Sequence, residues 1–184
     1  MKFLDQTIPG IVLVEPDVHR DDRGFFLESY HAGKYREAGI EVGFVQDNHS
    51  LSRQGTLRGL HMQLRHPQAK LIRVLRGEIW DVAVDLRKGS PTFGQHFGVE
   101  LSAENHFQLF VATGLAHGFV VLSEEAEIEY KCSDIYDPGG ELSVAWNDPE
   151  LGIPWPIEEP ILSEKDLRAP RVAEVMERLP DWKD

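Results

Sequence analysis

The chain has one cysteine among its 184 residues, Cys132, so no internal disulfide holds it together. A lone cysteine suits packing as a small hydrophobe in a reducing compartment. Long apolar runs are also missing: none approaches the ~20 residues that a helix needs to cross a bilayer. The first residues show no charged-then-apolar secretory pattern, because Asp5 and Pro9 interrupt it. These features point to the cytoplasm. Positive charge is scarce, with 19 Lys and Arg against 31 Asp and Glu and a net charge of -12. A general nucleic-acid binder needs cations on phosphates, so that class is excluded. A small phosphorylated ligand still fits, if a few cations gather in one cleft. The acidic runs Glu124-Glu125 and Glu158-Glu159 read as solvated surface. Repeats, low-complexity tracts and linkers are absent, and the chain reads as a single domain over 1–184.

What is present is a succession of short strand-like runs separated by turn residues. Ile11–Val14, Gly24–Tyr30, Leu71–Leu75, Glu78–Asp85, Phe97–Leu101, Phe107–Ala112, Gly118–Leu122, Ala126–Cys132 and Leu142–Trp146 follow one another. Their density predicts an all-β sandwich or barrel. Peripheral helices are few: a short one at Lys34–Ala38 closed by Gly39, a turn opened by Ser163, and a last one over Val172–Leu179.

The segment from Thr56 to Gln63 carries the most chemistry. Arg58 and His61 are three apart, so a regular strand puts them on opposite faces. Gly59 between them permits a bend or bulge that turns both toward one cavity. Lys70 follows shortly after. A neutral His accepts a proton near pH 7, and a nearby Lys stabilises the anion left behind. The plainer alternative is a set of ordinary surface charges on a sheet. Gly-rich turns between the strands suggest a cupin-type jelly roll, whose metal-binding members supply a His-x-His pair. Here Gln63 stands where the second His is needed, so a catalytic metal is not expected despite the later Ala116-His117. Asp47, His49 and Asp81 read as strand-end polar groups or as supports for other side chains.

The chain resembles the dTDP-4-dehydrorhamnose 3,5-epimerase family. The resemblance runs from about Ile11 to Pro170. It rests on Asp22-Arg23-Gly24-Phe25-Phe26-Leu27-Glu28, Phe44 to Ser50, Leu57-Arg58-Gly59-Leu60-His61, Gly77 to Asp85 and Ser90 to Gly94. Ala116-His117-Gly118-Phe119, Tyr130-Lys131, Trp146-Asn147-Asp148 and Leu162 to Asp166 complete it. It implies a cupin-like jelly-roll barrel acting on a dTDP-linked 4-keto-6-deoxy sugar without a cofactor. In such a sugar the ketone acidifies the hydrogens on C3 and C5, so inversion needs a base, an acid on the opposite face and positive charge at the carbonyl oxygen. The resemblance assigns His61 as base, Asp166 as the carboxylate that orients it, Lys70 at the enolate oxygen and Tyr130 as acid. It assigns Arg23, Glu28, Gln46, Asn48, Arg58, His117, Glu141 and Lys165 to the nucleotide and sugar sites.

Phe25 and Tyr136 are candidates for packing against base or sugar, although an aromatic in an alternating strand equally suits a core. The resemblance further implies a homodimer that exchanges N-terminal strands, carrying Arg23 and Glu28 into the partner's site. One departure stands out: the family's Pro-x-Gly-Phe before the His is Ala112-Thr113-Gly114-Leu115 here, a less constrained loop. The segment after Pro170 has no functional match and is expected to cap the dimer surface or be partly free. An epimerase inverting one centre shares His61, Lys70 and Tyr130. A sugar 3,4-ketoisomerase and a non-enzymatic cupin sugar-binding module are more distant alternatives.

Overall fold

In the computed structural model, which describes residues 1–183, thirteen strands form two facing sheets and a hairpin. The six-stranded sheet runs β1 (Lys2–Asp5), β2 (Ile11–Glu15), β10 (Gln108–Val111), β7 (Lys70–Arg76), β12 (Glu125–Cys132), β5 (Gln46–Arg53). The five-stranded sheet runs β13 (Glu141–Ser143), β6 (Leu57–Gln63), β11 (Leu115–Val121), β8 (Glu78–Asp85), β9 (His96–Ser102). All pairings between these strands are antiparallel, and apart from β1–β2 and β8–β9 the neighbours in each sheet are not consecutive in the chain, as a cupin-like jelly roll requires. β3 (Val18–Asp21) and β4 (Gly24–Leu27) form a separate hairpin.

Alternation along the strands sorts side chains to two faces. On β8, Ile79 and Ala83 enter the core between the sheets, while Val82 and Val84 face outward. Ile72, Leu101, Leu109, Phe119 and Ile128 join that central core. The outward faces are covered in turn. Helix α1 (Ala32–Glu37) brings buried Tyr35 onto Val12, Val14, Leu71 and Phe110. On the opposite side α3 (Val172–Val175), a 3-10 turn over Met176–Arg178 and Leu179 pack Val172, Val175 and Leu179 onto Leu60, Val82, Val84 and Ala116. Residues 171–179 are therefore docked as an integral layer rather than partly free.

Most expected strands lie within about two residues of the observed ones. The expected helix at 34–38 spans 32–37, with Gly39 at φ +84 just beyond it. Ser163 does open helix α2 (Glu164–Leu167). The expected single helix over 172–179 is a short α-turn passing into a 3-10 turn. β1, β3 and the eight-residue β5 had no counterpart among the expected strands.

Candidate active site

A cavity of about 700 Å³ opens between the sheets where β5, β12 and β7 face β6, β11 and β13. The segment Ile161–Asp166 closes one side. It is held there by Leu57 N–H donating to Ile161 O and Ile161 N–H donating to Gly55 O.

β6 supplies the first functional group through a bulge. Its pairing with β11 sets His61 opposite His117 and Arg58 opposite Phe119, so β6 spends three steps where β11 spends two. The extra residue turns Arg58 and His61 into the same cavity. Gly59 makes this possible. Its φ is +140, and a Cβ there would meet Gly118 Cα at 2.5 Å.

His61 Nε2–H donates to Asp166 Oδ1 over 2.5 Å. Asp166 is buried and stands in the first turn of α2, where its other oxygen accepts from Ser163 Oγ at 2.7 Å. Burial pushes the Asp166 carboxyl up, but the hydrogen bonds from His61 and Ser163 outweigh it and hold the group below its ordinary value. With its Nε2 proton engaged, a neutral His61 carries its lone pair on Nδ1. His117, its cross-strand neighbour, repeats the motif: Nε2–H donates to both oxygens of Asp81, at 3.0 and 2.9 Å. Asp81 is fully buried in the middle of β8, so it supports a cavity side chain and is not a strand-end group. The pose of His117 is thus fixed from behind, whatever the freedom of the loop at Ala112–Gly114.

The opposite wall comes from the other sheet. Tyr130 on β12 and Lys70 on β7 line the cavity, and neither side chain has a hydrogen-bond or ion-pair partner among the described residues. Burial raises the Tyr130 phenol above its ordinary value. The same cause lowers the Lys70 ammonium. Around the rim Lys165 Nζ and Tyr136 Oη both donate to Glu141 Oε2, at 2.9 and 3.1 Å. Gln46 Nε2 donates to Asn48 Oδ1, and its Oε1 accepts from the Tyr136 backbone. Among the described residues Arg58 hydrogen-bonds only to Ser52 Oγ. Glu141 is neutralised by Lys165, and Asp166 is engaged by His61. That leaves Arg58 and Lys70 as cavity cations without a carboxylate partner among the described residues.

The structure brings His61, Asp166, Lys70, Tyr130, Gln46, Asn48, Arg58, His117, Tyr136, Glu141 and Lys165 to one cavity. It does not bring Arg23, Phe25 or Glu28 there from their own chain. Arg23 folds back on Asp21, and Glu28 pairs with Lys34. Phe25 is 57 % exposed on the β3–β4 hairpin, so it belongs to no core of this chain. Sequence reasoning missed Ser50 and Gln63 as cavity residues. Ser50 Oγ and both side-chain polar atoms of Gln63 are buried without a partner among the described residues. The signal for Gln63 was its spacing of two from His61, which places both on one face of a strand.

Two facing sheets with a polar cavity at one end, holding a His–Asp pair on one wall and a phenol and an amine on the other, define a cupin-like enzyme site. The sequence model for dTDP-4-dehydrorhamnose 3,5-epimerase matches residues 5–174. A dTDP-4-dehydrorhamnose 3,5-epimerase from Pseudomonas aeruginosa is 55 % identical over 176 residues, covering 95 % of this chain and 97 % of its own. A solved dTDP-6-deoxy-D-glucose-3,5-epimerase from Legionella pneumophila, in complex with dTDP-4-keto-L-rhamnose, superposes with a TM-score of 0.96 at 47 % identity. It covers 100 % of this chain and 99 % of that one. A 3'-monoepimerase from Streptomyces bikiniensis, in complex with dTDP-quinovose, gives 0.90 at 39 % identity over 96 % of this chain and 91 % of that one. The chain belongs to the dTDP-4-dehydrorhamnose 3,5-epimerase family and is an isomerase.

Proposed function

We propose that the cavity binds dTDP-4-dehydro-6-deoxy-D-glucose and that the enzyme inverts C3 and C5 to give dTDP-4-dehydro-L-rhamnose. The observation that carries this reading is that His61 and Tyr130 project from opposite sheets into one cavity. Inversion needs a proton to leave one face of a carbon and another to arrive on the opposite face, and two walls supply two faces. His61 Nδ1 takes the proton from the carbon beside the ketone. The C–H electron pair moves into the ring, and the carbonyl oxygen becomes an enolate oxygen. Lys70, which has no carboxylate ion-pair partner among the described residues, stabilises that oxygen. Asp166 stabilises the imidazolium that forms. Tyr130 Oη then delivers its proton to the opposite face of the same carbon. A phenol made a weaker acid by burial holds its proton until a strong base, the enolate carbon, demands it. Exchange with water restores both groups before the second centre reacts.

Arg58, with Lys165 near the rim, suits the diphosphate, and Arg offers it two parallel hydrogen bonds. Gln46, Asn48, His117 and Glu141 serve the sugar and nucleotide, and Tyr136 packs against the base. The reading includes a single domain over 1–184, no cofactor, a cytoplasmic setting and a homodimer with exchanged N-terminal strands. In that dimer Arg23, Phe25 and Glu28 enter the partner's cavity. Their exposed hairpin, with Phe26 72 % exposed beside Phe25, supports that exchange.

The test is solvent exchange. In D2O, dTDP-4-keto-6-deoxyglucose is expected to gain deuterium at C3 and C5, and coupling to a 4-ketoreductase is expected to yield the L-rhamnose product. His61→Ala is expected to abolish both labels while nucleotide binding persists. Tyr130→Phe is expected to keep proton removal and lose completed inversion. Full activity in either variant sinks the role given to that residue. Label and inversion at one carbon alone would select the runner-up, a single-centre epimerase such as the 3'-monoepimerase that the chain also resembles.

A further inference from the structure

Gln63 is 6 % exposed, it lines the cavity, and neither its Nε2 nor its Oε1 has a hydrogen-bond partner among the described residues. Such a group is costly to bury, and the cost falls on both ends of the amide at once. Its polar neighbours make their hydrogen bonds elsewhere and none to the amide. Glu141, its cross-strand partner on β13, is taken by Lys165 and Tyr136. Gln68 donates to the Asp134 backbone. A bound group that both donates and accepts would satisfy both ends of the amide at once.

The position of Gln63 narrows the choice. It follows His61 by two residues on the same strand face, a step of about 7 Å. It also ends β6, and Lys70 begins β7 after the connecting residues 64–69, so amide and ammonium share one end of the cavity. Resting on the reading above, Lys70 holds the oxygen at C4 and His61 faces its neighbouring carbons. Those neighbours carry different substituents. C5 bears a methyl group, which offers an amide nothing. C3 bears a hydroxyl, which donates to Oε1 and accepts from Nε2. We propose that Gln63 binds the C3 hydroxyl of the hexose and is a specificity residue for 3-hydroxy sugars.

The experiment is a binding cycle using dTDP-glucose, dTDP-3-deoxyglucose and dTDP with the wild-type protein and Gln63→Met, by calorimetry, with no turnover needed. The wild type is expected to prefer dTDP-glucose to its 3-deoxy analogue by about tenfold, the scale of one or two buried hydrogen bonds. Gln63→Met is expected to erase that preference and to leave dTDP affinity unchanged. Its thermal midpoint is expected to hold or rise, since an unpaired buried amide has been replaced by an apolar chain of similar shape. An equal loss for dTDP would assign the amide to the nucleotide and overturn the proposal. An equal loss for the 3-deoxy analogue would assign it to another hydroxyl and overturn it too. Should the variant not fold, a wild type indifferent to the C3 hydroxyl overturns the proposal by itself. A wild type that binds none of the three ligands instead defeats the functional reading on which it rests.

Discussion

Lys70 illustrates how burial tunes one side chain for one task. Taking an ammonium out of water disfavours its charged form, so it releases its proton at a lower pH than the ordinary 10.5. Its charge, on which the proposed stabilisation of an enolate oxygen depends, is present below the folded value and lost as pH rises through it. The expected pH–rate profile therefore has an alkaline limb that begins below pH 10.5. Tyr130 is shifted the other way by the same cause, so its ionisation adds no earlier limb. Lys70→Met is expected to remove that limb and to lower kcat by about 10²-fold or more, the scale of losing one oxyanion stabiliser. A stopped assay from pH 6 to 11 checks both. An unchanged alkaline limb in the variant would reassign it to another group.

Strand β5 shows where sequence reading fails and why. Gln46, Asn48 and Ser50 occupy its inward positions, and all three line the cavity. A strand is normally recognised by apolar residues on alternate positions, and here the cavity demands polar ones. β8 was legible because its apolar residues alternate between two faces, Ile79 and Ala83 inward and Val82 and Val84 outward. The same logic divides the site. His61, Arg58 and Gly59 were readable as a bulged local cluster. The contact between His61 and Asp166 spans 105 residues and was implied only by family resemblance. The bulge itself has a checkable cost. Gly59→Ala forces a Cβ against the Gly118 backbone at a φ that side chains avoid. It is expected to lower stability by at least about 2 kcal/mol in urea unfolding. A variant as stable as the parent would mean that β6 reaches His61 by another path.

The molecule is stabilised as a stack of layers: helix α1, one sheet, the central core, the second sheet and the C-terminal segment. The last layer buries Val172, Val175 and Leu179 on the outer face of the five-stranded sheet, away from the cavity. Leu179→Ala is expected to cost about 2–4 kcal/mol, the usual loss for a large-to-small change in a packed core. Catalysis at temperatures well below the melting point is expected to survive it. A thermal melt paired with an assay at 25 °C separates the two effects, and an unchanged melting temperature would show that this layer contributes nothing to the fold.

The central core acquires a second meaning from the division of the site between sheets. His61 belongs to one sheet and Tyr130 to the other, and among the described residues nothing ties the two side chains directly. What fixes their separation is the girth of Ile72, Leu101, Leu109, Phe119 and Ile128 wedged between the sheets. These greasy residues act as a shim: a smaller one is expected to let the walls of the cavity draw together, and a larger one to push them apart. The width of the cavity therefore depends on side chains such as Ile72, Leu101, Leu109 and Ile128, which do not line it.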